Sequence, residues 1–442
     1  MCGRLKFPHP KPLIAAKKVR RLNPRIARSS TAAVVLGGVL LLGNGACQSR
    51  GDAREAGPAQ ARELVEIFSW WSAPGEADAL EALVATHQQR HPDARIFNAA
   101  AASGARAREW LEERLDRNEP PDIFQQYIQE LRAAARHGSE KQVPLDDMFD
   151  RLGLRHVVFP ELIDDVTRDG HVYAMPVNVH RENTLLYNRR LFAAHHLAVP
   201  KTLPEFLAAC RKFKAEGVVP LATADQGWIL RIMFNALAAG QMGGASYHDY
   251  FMGTRPIDIA PFREAIDLFA EVLENYVNAD AGDDGFGWTN AAQALYDGDA
   301  AMMLHGDWAK GYLLQLGWSG ESDFGVIAAP GSADLFLYGV DAFALARGAR
   351  NEEGAREFLE TVASPAGQVA FNRIKGSSPI RPDVPRDELD QLGRETLDHL
   401  EHAKIRMLVR SRPVWEEALV AFSRDHDRGK LLRAFLDAPP GA

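Results

Sequence analysis

Residues 64–99 read LVEIFSWWSAPGEADALEALVATHQQRHPDARIFNA, and their order decides the fold class. Leu64–Trp71 has the apolar and aromatic content of a strand, Gly75–Arg90 has the spacing of an amphipathic helix, and Ala94–Ala99 predicts a second strand. Ala105–Arg117 then predicts another helix, and Asp122–Gln125 a short strand behind the Pro120-Pro121 break. A β-α-β-α-β order implies a parallel sheet with helices on its faces.

Working outward, Asp169-Gly170 marks a hairpin turn between Val166 and Tyr173. Ala174–Asn188 (AMPVNVHRENTLLYN) is a long stretch leading straight into new helices. Thr202-Leu203-Pro204-Glu205 is a capping box with proline in the first turn, opening a helix to Gly217. Val218–Ala222, Ala300–His305, Phe324–Ala329 and Tyr338–Ala346 predict strands; Asp258–Tyr276 predicts a helix, Asn351 caps another to Ser364, and the tail from Arg386 is mostly helical. The 442 residues suffice for two domain-sized cores. No linker divides the chain beyond residue 62, so two lobes must share strands, with the chain crossing between them more than once.

The N-terminal region is of another kind. Residues 1–46 hold nine of the 51 Lys/Arg and none of the 59 Asp/Glu, leaving 42 basic against 59 acidic side chains, a net of −17. That acidic remainder disfavours nucleic acid as a partner. The basic start runs into the apolar Thr31–Gly43 and then Asn44-Gly45-Ala46-Cys47, the pattern of an export signal over 1–46. The run is short of the roughly 20 apolar residues that span a bilayer. Gly45-Ala46-Cys47 resembles a bacterial lipoprotein signal with Cys47 as the lipidated residue; Asn44 departs from it, and ordinary cleavage nearby is the alternative. Residues 47–62 form a flexible tether. Of three cysteines, only Cys210 would remain as a free thiol in the mature body, which excludes a disulfide framework and a cysteine metal site.

Two clusters could carry function. Trp70-Trp71 end the first strand and Glu76 opens the next helix, where open α/β sheets bind ligands. Neighbouring residues on a strand face opposite ways, so one tryptophan could be core, while at the strand end at least one can face a cleft. Indole rings stack on the C–H faces of sugars, and carboxylates or amides fix their hydroxyls. Asp307 and Lys310, in Gly306–Gly311 after the Ala300–His305 strand, can face one side of their turn as acceptor and donor. A solvated ion pair is the alternative.

SWWSAPGEADAL, PPDIFQ, VYAMPVNVHRENTLLYN, GDWAKG, YGVDAFAL and KGSSPIRPDV occur in one order from Leu64 to Leu436. That ordered series resembles the family 1 extracellular solute-binding proteins of carbohydrate ABC transporters, nearest the glucose, galactose and mannose branch. The resemblance implies a periplasmic-binding-protein-like fold: two α/β lobes joined by a multi-strand hinge, with a ligand cleft between. It implies an N-terminal lobe of 63–178 and 336–380, and a C-terminal lobe of 179–335 and 381–442. Trp70 and Trp71 would stack on a sugar, Glu76 would accept from it, and Gln125 would lie at the lip of the third strand. Asp307 and Lys310 would bond from the other lobe, with Trp288 as the opposing wall. His180 would serve as hinge or ligand contact, and Asp341 and Lys375 as third-segment contacts; Trp228 is a weaker candidate. Tyr127 departs from the His or Lys usual in glucose-binding relatives, which bears on which sugar is accepted.

The implied protein is a non-catalytic, cofactor-free monomer of the periplasm or cell envelope. It would bind a monosaccharide, deliver it to ABC permease subunits, and touch the membrane only through a lipid on Cys47. An oligosaccharide, polyol or other polar solute is the alternative cargo. An exported glycoside hydrolase using Glu76 and Asp307 as its carboxylate pair is disfavoured, because no G-x-S-x-G, H-E-x-x-H or Walker loop accompanies them.

Overall fold

The computed structural model describes residues 64–99, 104–128, 138–255, 258–278 and 287–438. The export signal, the tether and Cys47 lie outside the described residues.

The chain opens with β1 (Leu64–Phe68), β2 (Arg95–Asn98) and β3 (Ile123–Tyr127), connected by the helices Glu76–Arg90 and Gly104–Asp116. It continues through β4 (Thr167–Arg168), β5 (His171–Val172), β6 (Met175–Pro176), β7 (His180–Arg181) and β8 (Thr184–Asn188). Then come β9 (Val219–Ala222), β10 (Ala300–His305), β11 (Phe324–Ala328), β12 (Leu335–Gly339), β13 (Asp341–Leu345) and β14 (Ile405–Leu408).

As the β-α-β-α-β order requires, β1 pairs in parallel with both β2 and β3. The full sheet runs β2-β1-β3-β13-β6, with β13 antiparallel to its neighbours. A second sheet runs β11-β8-β10-β9 and a third β14-β12-β7. β10 is buried along its whole length, which is why AAMMLH shows no polar alternation.

The crossing between sheets is built from two antiparallel passes. Outbound, β6, β7 and β8 fall in the first, third and second sheets in turn; inbound, β11, β12 and β13 retrace them. Each outbound strand pairs with an inbound one: Leu185↔Ile327, His180↔Gly339 and Met175↔Phe343. The sequence predicts one strand over Tyr338–Ala346. The structure divides it at Val340, where the chain passes from the third sheet to the first.

Two large apolar cores flank these passes. Val65, Ile67, Leu83, Phe343 and Phe358 anchor one. Phe206, Phe213, Phe234, Phe269 and Trp415 anchor the other, where Cys210 is also buried, its thiol pushed up to about 12 by burial. The tail serves both: Leu397 and Leu400 pack in the first core, Leu419, Phe422 and Phe435 in the second. Local signals hold well. Thr202 and Glu205 form the reciprocal cap, Asp258 and Asn351 cap their helices, and Asp169 and Gly170 take φ of 51° and 83° in the β4–β5 turn.

Candidate functional site

The pairing of β1 with β3 ends at Phe68↔Phe124, so Trp70 and Trp71 stand just past the carboxyl end of β1. They part there. Trp70 is half-buried, with its ring centroid 5.0 Å from that of Tyr127 and the Arg108 guanidinium 5.9 Å over it. Trp71 is buried against Phe343 and Phe371, with centroids 5.5 and 4.8 Å away. Trp71 packs in the core while Trp70 keeps a partly open face, because consecutive side chains leaving a strand diverge.

From Trp70 a chain of hydrogen bonds runs across the molecule. Gln125 Oε1 accepts from the Trp70 amide at 3.1 Å, and Gln125 Nε2 donates to Asp341 Oδ1 at 2.9 Å. Asp341 Oδ2 accepts from Asn178 Nδ2 at 3.1 Å and lies 3.3 Å from His180 Nε2. His180 Nδ1 donates to Asp307 Oδ1 at 2.5 Å, and Asp307 Oδ2 accepts from the Arg181 amide at 2.8 Å. The imidazole thus joins a carboxylate beyond β10, in the second sheet, to one at the start of β13, in the first. Burial and the Lys375 charge push the pKa of His180 down, but Asp307 and Asp341 outweigh them and it ends above the ordinary histidine value. Burial would raise Asp341; the bond to and charge of His180, with Lys375 and Asn178, hold it below the usual carboxylate range. Burial, then Asp341 and Glu76, keep the Tyr127 hydroxyl firmly protonated.

Glu76 and Lys375 form a second polar pair, Nζ to Oε1 at 2.8 Å, and Lys375 Nζ lies 5.9 Å over the Trp308 ring. Lys310 differs from expectation. Its buried ammonium bonds Asp390 Oδ1 at 2.9 Å, so it and Asp307 do not form one acceptor–donor clamp. The turn that would align them is spent instead on backbone packing. A Cβ on Gly311 would lie 2.6 Å from the carbonyl oxygens of Ile374 and Lys375, and one on Gly75 3.1 Å from the Gly311 carbonyl.

On the other side of Trp308 lies an aromatic group. His305, at the end of β10 and wholly buried, has ring centroids 4.9 Å from Trp308, 5.5 Å from Trp228 and 5.9 Å from Trp288. Each indole sits at the first or second position of a helix: Trp228 in Gly227–Met242, Trp288 in Gly287–Asp297 and Trp308 in Trp308–Gln315. Burial, and then the charges of Arg231, Lys375 and His180, lower the pKa of His305 to about 3, so its ring is neutral.

The structure thus brings together Trp70, Gln125, Tyr127, His180, Asp307 and Asp341, sets Glu76 and Lys375 beside them, and gathers Trp228 and Trp288 around His305. Sequence reasoning missed His305, Trp308 and Asn178. A usable signal was present: Gly-Trp at two helix starts, and a histidine ending the strand that leads into GDWAKG.

The family model described as "Bacterial extracellular solute-binding protein" matches residues 88–392. An uncharacterised ABC transporter extracellular-binding protein of Pyrococcus horikoshii is 30% identical over 79% of this chain and 78% of its own. A probable sugar-binding periplasmic protein of Brucella suis biovar 1 is 28% identical over 82% and 85%. Among solved structures, the bacterial solute receptor AcbH, with an exclusive preference for β-D-galactopyranose, superposes with TM-score 0.71 at 18% identity over 84% of this chain and 96% of its own. RafE in complex with raffinose gives 0.67 at 18% over 86% and 98%. The fold is that of the periplasmic binding proteins, two α/β lobes joined through several strands. The chain belongs to the family of bacterial extracellular solute-binding proteins.

Proposed function

We propose that the chain captures a monosaccharide, with a glucose-type hexose favoured, between its two lobes and delivers it to the permease of an ABC importer. The observation that carries this reading is the network Gln125–Asp341–His180–Asp307, drawn from both sheets and bordered by Trp70 at one end and Trp308 at the other. Fixed acceptors and donors between indole faces suit a polyhydroxylated ring. The family, and relatives named for sugars, support a sugar as the cargo.

The same geometry argues for binding rather than turnover. Asp307 and Asp341 are both engaged by His180, and Glu76 by Lys375, so these carboxylates already serve as acceptors within the site. We take residues 63–178 and 336–380 as one lobe and 179–335 with 381–442 as the other, Leu397 and Leu400 of the tail reaching the first core. Export through the 1–46 signal, a lipid on Cys47 and action as a monomer complete the reading.

Tryptophan emission of ligand-stripped protein, recorded against glucose, galactose, mannose, xylose, arabinose, maltose and raffinose, tests it. A saturable change with one hexose at micromolar concentration is expected. Release of nitrophenol from nitrophenyl glycosides would replace the reading with an enzyme.

A further inference from the structure

We infer that His305 is a specificity-determining residue, its ring nitrogens reading hydroxyls of a neutral sugar seated against Trp228, Trp288 and Trp308. This rests on the sugar reading above and adds to it the part of the site that does the discriminating.

The polar groups nearer Trp70 are satisfied by one another: Gln125, Asp341, Asn178, His180 and Asp307 each have a hydrogen-bond partner. The His305 group is the opposite. Both ring nitrogens are buried without a hydrogen-bond partner, and so is the side-chain oxygen of Gln226, which would lie 3.5 Å from a Cβ on Gly287 at the start of the Trp288 helix. A buried polar atom without a partner costs about 1–3 kcal/mol, so two nitrogens on one ring are costly to keep unless a ligand completes them.

The surroundings set the ligand's chemistry. Three indoles supply apolar faces that match the C–H side of a pyranose. A neutral imidazole offers one donor and one acceptor, the complement of two sugar hydroxyls. The charges of Arg231, Lys375 and His180 bear on the ring, so a cationic ligand, otherwise suited to an aromatic cage, is disfavoured. Access follows from placement: Lys375 comes from the helix Pro365–Lys375 and approaches Trp308 from the other lobe, so the cage lies at the face where the lobes meet.

The test uses the full chain, stripped of ligand, and its His305→Phe and His305→Gln variants, titrated with the seven sugars named above. Phenylalanine keeps an aromatic ring in the cage and removes both nitrogens. His305→Phe is expected to bind the wild-type sugar roughly ten- to hundredfold more weakly, at an unchanged or higher melting temperature. His305→Gln, which can still donate and accept, should recover part of the loss. In wild-type protein carrying 15N-histidine, the ring nitrogens of His305 should shift on saturation with that sugar, a readout that decides the matter even if a variant fails to fold. Affinity within twofold in His305→Phe, or ring nitrogens unmoved by a bound sugar, would overturn the inference and leave sugar capture standing. Wild-type protein that binds none of the seven sugars would overturn both.

Discussion

His180 and Asp307 meet at 2.5 Å, a bond between β7, in the third sheet, and the turn that follows β10, in the second. With Asp341 on its other nitrogen, the imidazole holds two buried carboxylates from different sheets in one unit. Contacts of this kind make an interlobe site responsive: a ligand favours closure only through interactions made better in the closed form.

Replacing Asp307 by Ala removes the acceptor for both His180 and the Arg181 amide and leaves the buried His180 ring short of a partner. A loss of about 3–5 kcal/mol of stability is expected, read by urea unfolding, together with a drop in sugar affinity. Asp307→Asn retains an acceptor for the Arg181 amide and should lose less stability. Equal stability of Asp307→Ala and wild type would remove the bridge from the account.

The two adjacent tryptophans should separate in their effects. Trp71→Ala empties a core position between Phe343 and Phe371 and should cost about 3–5 kcal/mol. Trp70→Ala, at a half-buried position, should cost less stability and more sugar affinity. Thermal unfolding and titration of both variants check this; the reverse pattern would contradict the placement of Trp71.

Gly311 packs its α-carbon against the Ile374 and Lys375 carbonyls of the helix Pro365–Lys375. Gly311→Ala should oppose closure by about 1–3 kcal/mol, the usual penalty of overpacking. Sugar affinity would fall roughly five- to hundredfold, while X-ray scattering with saturating sugar would report a larger radius of gyration than wild type.

His180 also predicts a pH dependence. Its pKa is raised in the folded protein, so its stabilising contribution is complete below the unfolded value, about 6.5, and is lost as pH rises through the folded value. The charged groups that face it are Asp307, Asp341 and Lys375. Melting temperature should therefore decline above about pH 6.5 in wild type, and the decline should flatten in His180→Gln. An identical slope in both would assign it to other groups.

The fold was legible wherever local chemistry speaks for itself. The β-α-β-α-β opening, the Thr202 cap and the Asp169-Gly170 turn follow from apolar spacing, capping side chains and positive φ. The division of Tyr338–Ala346 was not legible, because GV at 339–340 carries no turn chemistry and the change of sheet is imposed by partners far away in sequence. The site was legible to the extent that its residues cluster near strand ends. What could not be read was direction: which of Trp70 and Trp71 faces in, and that Lys310 reaches Asp390 eighty residues later. His305 was hidden because a histidine closing an apolar strand looks like core until the three indoles around it are placed.

Calorimetric titration of ligand-stripped protein with the same panel is the decisive measurement of sugar capture. Saturable one-to-one binding of a hexose is expected. No heat of binding with any sugar, from protein shown by circular dichroism to be folded, would contradict it and move the cargo outside the sugars.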